Sequence, residues 1–159
     1  MTVSIRPAKP NDVSTVAHLI RALSRYEKLE HEVTMTEDKL RATMFGARPY
    51  AEALLAEEEA KPVGFALFFH NYSTFLAQPG LYLEDLYVLE SHRGKGIGKS
   101  LLVNLAKIAV ERNCGRLEWA VLDWNVDAIG FYEKLGAKPN SEWTVYRLTG
   151  ESLSELAGK

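Results

Sequence analysis

The chain has 159 residues, of which 47% are hydrophobic and 25% are charged, so it can form one folded domain with a substantial core. This composition excludes disordered, collagen-like and coiled-coil proteins, and a formal net charge of −2 argues against a nucleic-acid-binding protein, which normally carries a basic patch. The single cysteine, Cys114, excludes an internal disulfide and a cysteine-based metal site.

The pattern of apolar residues and turn signals predicts ten secondary-structure elements. In chain order they are a strand over 3–6, a helix from Asn11 or Asp12 to about Tyr26, a helix capped by Thr36 and ended near Gly46, strands over 50–58, 63–69 and 81–88 with a turn at Lys61-Pro62, a long helix that 94–98 opens, a strand over 117–122, a helix over 125–135 closed by Gly136, and a strand over 144–148. This order predicts an α/β sandwich, in which helices cover a mixed sheet.

A glycine-rich turn, Arg93-Gly94-Lys95-Gly96-Ile97-Gly98-Lys99-Ser100, separates a predicted strand from a predicted helix. Alternate glycines let the backbone approach a ligand closely, and amides at a helix N-terminus bind phosphate oxygens. A nucleotide P-loop needs a glycine where Arg93 stands, and the dinucleotide fingerprint fails because Gly98 comes one position early. A plain tight turn is the alternative, but the flanking cations favour a phosphate site.

The spacing that fits is Arg-x-x-Gly-x-Gly at positions 93, 96 and 98, and the second block is Asn125-x-x-Ala128-x-x-Phe131-Tyr132-x-x-x-Gly136-Ala137. Together they resemble the acetyl-CoA-binding segments of the GNAT acyltransferase superfamily. Tyr26-Glu27 and Tyr82-Leu83-Glu84-Asp85 resemble its spermidine/spermine N-acetyltransferases, while 120–125 and the tail 156–159 are more similar to the thialysine-acetylating branch. The resemblance implies a single GNAT domain over 1–159, with a mixed, mostly antiparallel sheet that has helices on both faces and is splayed in the middle for acetyl-CoA.

The resemblance implies that acetyl-CoA contacts three segments: a strand end, the glycine-rich turn and the second block. The implied contacts are Leu86, Tyr87, Val88, Arg93, Gly94, Lys95, Gly96, Ile97, Gly98, Lys99, Asn125, Asp127, Ala128, Tyr132 and Lys134. Capping of the helix is by itself a sufficient reason for Asn125. For Lys134, a solvated lysine on a helix face is commoner than one that contacts a ligand.

Acetyl transfer from a thioester to an amine requires that the amine lose a proton and that the departing thiolate gain one. Tyr132 is the candidate general acid, since it lies two helical turns after Asn125 and the resemblance implies that its hydroxyl meets the CoA sulfur. Glu84 is the candidate base, acting through water. Strand alternation places Glu84 on one side with Tyr82, and Leu83 with Asp85 on the other. The alternatives to these catalytic roles are that Tyr132 is an aromatic packing residue and that Glu84 is a solvated carboxylate at the end of a strand.

The resemblance also implies a set of substrate-binding residues, with the first two supplied by the partner subunit of a homodimer. They are Tyr26, Glu27, Glu84, Asp85, Glu118, Trp119 and Glu142. The carboxylates favour a cationic primary amine. Spermine-acetylating relatives carry an acidic and an indole residue where this chain has Ser73-Thr74-Phe75, which favours thialysine, lysine-like amines or short diamines over a long polyamine.

We therefore predict a GNAT-fold N-acetyltransferase that moves the acetyl group of acetyl-CoA directly to a small cationic amine, without a metal or a covalent enzyme intermediate. The alternatives are a protein or peptide amine acetyltransferase, a non-catalytic acyl-CoA-binding module and, more distantly, a nucleotide-binding switch. With no apolar leader and no 18-residue apolar run, we expect a cytoplasmic protein that binds neither membrane nor nucleic acid.

Overall fold

The computed structural model describes residues 2–159, which form two compact units, 2–120 and 121–159. The first unit contains strands β1 (Val3–Pro7), β2 (Glu52–Glu58), β3 (Lys61–Ser73), β4 (Gln78–Val88) and β5 (Leu117–Trp119), and helices α1 (Val13–Tyr26), α2 (Glu37–Met44) and α3 (Ile97–Glu111). The second contains helices α4 (Val126–Lys134) and α5 (Gly150–Ala157). Among residues 2–159, no helix has both the length and the apolar character that a membrane crossing needs.

The five strands form one mixed sheet in the order β1-β2-β3-β4-β5. The first four strands pair antiparallel, and β5 pairs parallel to β4. The parallel pairing joins Leu81–Leu83 to Leu117–Trp119 and stops there, whereas β4 continues to Val88 paired with β3. The last five residues of β4 therefore have a strand neighbour on one side only within the described part of the chain. The resemblance implies that two strands splay apart at this point; in the structure β5 ends at Trp119 and leaves this edge of β4 without a strand.

Two hairpins differ in detail from the prediction. The β2–β3 turn is Glu59-Ala60, both with positive φ (51° and 62°), and not Lys61-Pro62. Pro62 lies in β3 opposite Glu57, at an irregularity of the ladder, where a residue without an N–H is tolerated. The β3–β4 hairpin extends to Ser73 and Gln78, so the predicted loop over 73–80 shrinks to four residues.

Helices α1 and α2 pack on one face of the sheet, where Val16, Leu19 and Leu40 share a buried cluster with Phe65 and Tyr87. Their apolar residues recur at helical spacing, which explains why the sequence predicts α1 to its last residue. The buried side of α3 is outside this cluster and packs against β4 from the opposite face of the sheet. The helices thus cover both faces, as predicted.

The unit 121–159 departs most from the sequence prediction. The strand predicted over 117–122 ends at Trp119, and the strand predicted over 144–148 is absent from the described residues. Those residues alternate as in a strand, but no neighbouring strand pairs with them, and an isolated strand has no partner for its backbone N–H and C=O groups. Helix α5, which begins after Thr149 and carries Leu153 and Leu156 one turn apart, was not predicted.

Candidate active site

Glu84 is the extra residue of a β-bulge in β4. Leu83 lies opposite Phe68 and Asp85 opposite Leu67, so two neighbouring positions of β3 face three positions of β4. Adjacent residues of β3 point to opposite faces of the sheet, so Leu83 and Asp85 do too. The sequence prediction that Leu83 and Asp85 share a side is therefore wrong. Bulges redirect side chains and are common next to active sites.

Three carboxylates gather where α1 ends beside the bulge: Glu27, Glu84 and Asp85. Burial is the main reason that the pKa of Asp85 rises from its ordinary 3.8 to about 7, and the charges of Glu84 and Glu27 add to it. Burial also raises the pKa of Glu27. Among residues 2–159 none of the three forms an ion pair with a Lys, Arg or His. Within the described residues, the three carboxylates thus form a cluster without a cationic partner.

Glu118, another predicted substrate residue, is engaged locally. Its Oε1 accepts from Arg116 Nε at 2.9 Å and from Asn71 Nδ2 at 3.2 Å. It lies opposite Tyr82 in the parallel ladder, and burial, followed by the charges of Glu84 and Glu118, raises the pKa of the Tyr82 phenol. The charges of both Glu118 and Glu84 therefore act on Tyr82, and Trp119 follows at the end of β5.

The glycine-rich turn has the backbone geometry expected for an anion site. Gly94 and Gly96 have φ of +78° and +81°, a region that favours glycine, and a Cβ built at either position would meet nothing within 4 Å. Gly96 is the N-cap of α3 and has no side chain to accept from the first turn. The N–H groups of Ile97, Gly98 and Lys99 therefore have no acceptor within the helix and can donate hydrogen bonds to phosphate oxygens.

The arginine of the turn folds back on the sheet. Arg93 donates from Nε to the Val88 carbonyl oxygen at 3.0 Å. Its guanidinium lies 4.4 Å from the ring centroid of Tyr26 and 5.3 Å from that of Tyr87. Tyr26 and Tyr87 also contact each other, with ring centroids 6.1 Å apart. Arg93 therefore joins the glycine-rich turn to the end of α1, where Glu27 stands.

The strand end predicted to meet the cofactor, Leu86–Val88, lies on the part of β4 that β5 does not cover. Tyr87 is buried in the α1 core, while Leu86 and Val88 are half-buried. The hairpin tip with Ser73-Thr74-Phe75, on which the expected substrate preference depends, is remote from these residues. Ser73 is buried, its Oγ accepts from Leu76 N at 3.3 Å, and it lies five β3 residues, roughly 17 Å, beyond the position opposite Leu83.

The remaining predicted residues belong to the unit 121–159. Asn125 caps α4, because its Oδ1 accepts from Ala128 N at 3.3 Å. Tyr132 lies two turns further along the same helix, with its ring 5.5 Å from that of Phe131. The other three are exposed: Asp127 in the first turn of α4, Lys134 in its last turn, and Glu142 after it.

Sequence reasoning missed two features of the site. The bulge leaves no mark in the residue types of β4, and a single sequence shows only the alternation that it breaks. Glu58, which contacts the glycine-rich turn, reads in sequence as one acid of the run Glu57-Glu58-Glu59. No group of three or more His, Cys, Asp or Glu side chains that could hold a metal ion occurs within residues 2–159.

Comparisons with known proteins identify the family. The acetyltransferase (GNAT) family matches residues 16–137. A thialysine N-epsilon-acetyltransferase from Bos taurus is 40% identical over 168 residues, covering 99% of this chain and 98% of that protein. The L-ornithine N5-acetyltransferase NATA1 of Arabidopsis thaliana is 35% identical over 197 residues, covering 96% and 86%.

A solved structure has the same fold over the whole chain. The integron cassette protein VCH_CASS6 from the mobile metagenome of V. cholerae superposes with a TM-score of 0.84 at 31% identity, covering 100% of this chain and 99% of that one. The mixed α/β fold and the resemblance to the thialysine branch, both predicted from sequence, are thereby confirmed. The chain belongs to the GNAT family of acetyltransferases.

Proposed function

We propose that the protein transfers the acetyl group of acetyl-CoA directly to a primary amine of a small cationic substrate, such as thialysine or a lysine- or ornithine-like amine. The observation that carries the proposal is the acidic cluster of Glu27, Glu84 and Asp85, which forms no ion pair with a Lys, Arg or His in the described part of the chain. A bound ammonium group would supply the missing charge. The similar proteins named for thialysine and ornithine acetylation support this class of acceptor.

Acetyl-CoA would supply the reactive thioester. The residues present fit its parts: the amides of 97–99 and the two positive-φ glycines suit the pyrophosphate, and the uncovered edge of β4 at 86–88 suits an extended arm. Asn125, Asp127, Ala128 and Lys134 are proposed contacts on the resemblance. The side chains of Arg93 and Lys95 contact protein groups, so we propose that backbone amides make the principal phosphate contacts.

The amine must lose a proton before it attacks, because an alkylamine has a pKa near that of lysine, about 10.4. We propose that Glu84, on the bulge, accepts this proton through water and that Asp85 shares it, since a pKa of about 7 suits proton exchange at neutral pH. A β4 amide would stabilise the oxyanion. Tyr132 would return a proton to the thiolate.

We propose that residues 1–159 act as one domain and that two copies form a homodimer. The family match runs from 16 to 137 and so spans both compact units. The segment 121–159 exposes large apolar side chains, among them Trp143, Tyr146 and Leu153, which suit an interface. Analytical ultracentrifugation tests the dimer, which a monomer at micromolar concentration would contradict. The cytoplasmic location stays a prediction.

The experiment that tests the function is release of the CoA thiol from acetyl-CoA across a panel of amines. The panel contains thialysine, lysine, ornithine, putrescine, spermidine, spermine and a lysine-containing peptide. We expect turnover with thialysine, ornithine or a short diamine, and a large loss of kcat/KM for that amine in Glu84→Gln. Turnover only with the peptide would support a protein acetyltransferase. Protection of the fold from heat by CoA, without turnover of any amine, would support the binding module.

A further inference from the structure

A buried carboxylate lies against the glycine-rich turn. Glu58, the last residue of β2, is 8% exposed. Its Oε2 is 3.3 Å from His92 Nε2, and its Oε1 is 3.4 Å from Lys95 Nζ. A buried charge is costly unless it is paired, so these two contacts account for the presence of an acid at this position. They also connect the end of β2 to a turn that is distant in sequence.

Both ring nitrogens of His92 have a polar partner, Ser91 at Nδ1 and Glu58 at Nε2. Ser91 Oγ lies 2.8 Å from Nδ1, on the other side of the ring from Glu58. A neutral imidazole satisfies this arrangement when Nδ1 accepts from the serine hydroxyl and Nε2–H donates to the carboxylate. The single turn Glu90–His92, which leads from β4 into the glycine-rich turn, is thereby fixed to β2.

Lys95 stands between two glycines with positive φ, Gly94 and Gly96. Glycine loses more conformational freedom on ordering than any other residue, so this stretch is costly to hold in one conformation. The glycines have no side chains to hold it, and the N-cap of α3 makes no side-chain hydrogen bond. The Lys95–Glu58 contact is therefore the side-chain attachment between Arg93 and Ile97.

We propose that Glu58 is a positioning residue for acetyl-CoA, because its hold on His92 and Lys95 fixes the backbone of 94–98 with its amides ready for the pyrophosphate. The inference rests on the proposed function and deepens it. Glu58 contacts no part of the cofactor and acts through the turn. Lys95 contributes by its attachment to Glu58, and its ammonium group is not the phosphate ligand.

The first test is Glu58→Gln, which keeps the shape and removes the charge. We expect the affinity for CoA, measured by calorimetry, to fall about three- to tenfold, as for the loss of a partly exposed ion pair with a buried partner. The KM for acetyl-CoA should rise with it, whereas the KM for acetyl-pantetheine, which lacks the pyrophosphate, should not. Glu59→Gln, which removes the same charge one residue later in the exposed turn, is the matched control.

A double-mutant cycle decides the role of Lys95. If Lys95 acts through Glu58, Lys95→Ala weakens CoA binding in the wild type but adds little to Glu58→Gln. Equal losses in both backgrounds would show that Lys95 binds phosphate directly and would overturn the inference. Hydrogen exchange of 90–98 without cofactor should be faster in Glu58→Gln, and unchanged exchange would also overturn it.

Two outcomes separate this inference from the proposed function. A wild-type protein that fails to bind CoA refutes the proposed function, whereas normal binding with no loss in Glu58→Gln refutes only the role of Glu58. If Glu58→Gln does not fold, His92→Phe replaces it, with His92→Gln as the conservative variant that still donates to Glu58. We expect His92→Phe to weaken CoA binding and His92→Gln to restore it; equal binding by both contradicts the proposal.

Discussion

Asp85 makes a testable link between the pH dependence of stability and the acidic cluster. Its pKa is about 7 in the folded protein and 3.8 for an ordinary aspartate. At pH values between these two pKa values, Asp85 is protonated in the folded state and ionised in the unfolded state. The free energy of unfolding therefore falls as pH rises from about 4 to about 7. The loss is complete above pH of about 7, and the shift corresponds to at most about 4 kcal/mol.

Asp85→Asn removes this charge with little change in shape. We expect the variant to be more stable than the wild type at a pH of about 8, by up to about 4 kcal/mol, and the gain to vanish below a pH of about 4. Urea titrations measure this gain in stability. If the free energy of unfolding falls by about 2 kcal/mol per molar urea, a gain of about 4 kcal/mol moves the unfolding midpoint by about 2 M. Asp123→Asn, the same substitution at an exposed aspartate, is the matched control. A gain that is the same at pH of about 5 and about 8 would refute the reasoning.

The same variant connects stability to substrate binding. A cationic amine bound at the cluster would offset the repulsion among Glu27, Glu84 and Asp85, so the amine should stabilise the wild type more than Asp85→Asn. We expect the variant to gain stability and to lose amine affinity, as is common where an active site keeps an unfavourable charge. Equal stabilisation of both proteins by the amine would place the substrate elsewhere.

Three further changes test other parts of the structure. Ala60→Gly should raise the free energy of unfolding by about 1 kcal/mol, because Ala60 has φ of +62°, whereas Ala106→Gly inside α3 should lower it by a similar amount in the same urea assay. Tyr132→Phe should lower kcat by about a hundredfold and leave calorimetric CoA affinity nearly unchanged, with the exposed Tyr72→Phe as control; an unchanged kcat removes Tyr132 from its role. Asn125→Ala should cost about 1 kcal/mol in thermal unfolding by loss of the α4 cap, and no cost would contradict the capping bond.

The sequence predicts the elements whose patterns are local. Helix α1 follows from apolar residues at helical spacing, and the glycine-rich turn from Gly94, Gly96 and Gly98. Prediction from sequence fails where an element depends on a pairing partner that is distant in the chain or absent. The strand predicted over 144–148 finds no pairing, and the Glu59-Ala60 turn uses residues that rarely adopt positive φ.

The site could be predicted in part for the same reason. The motif spacing identifies the turn and its family, but the hold of Glu58 on Lys95 joins residues 37 positions apart and has no local signature. The bulge at Glu84 depends on how β4 pairs with β3, which residue types alone do not specify.

The bulge has consequences at both ends of the candidate site. With regular alternation after Leu83, Asp85 and Tyr87 would point with it toward the face that α3 covers, and neither could meet α1. The extra residue turns both to the α1 face, where Asp85 is close enough to Glu27 to be affected by its charge and the Tyr87 ring makes a tilted contact with that of Tyr26. Arg93 lies over the rings of Tyr26 and Tyr87. The bulge that brings the carboxylates together therefore also positions Tyr87 to contact the arginine of the glycine-rich turn. One inserted residue in β4 thus sets the geometry of both the proposed amine site and the proposed cofactor turn.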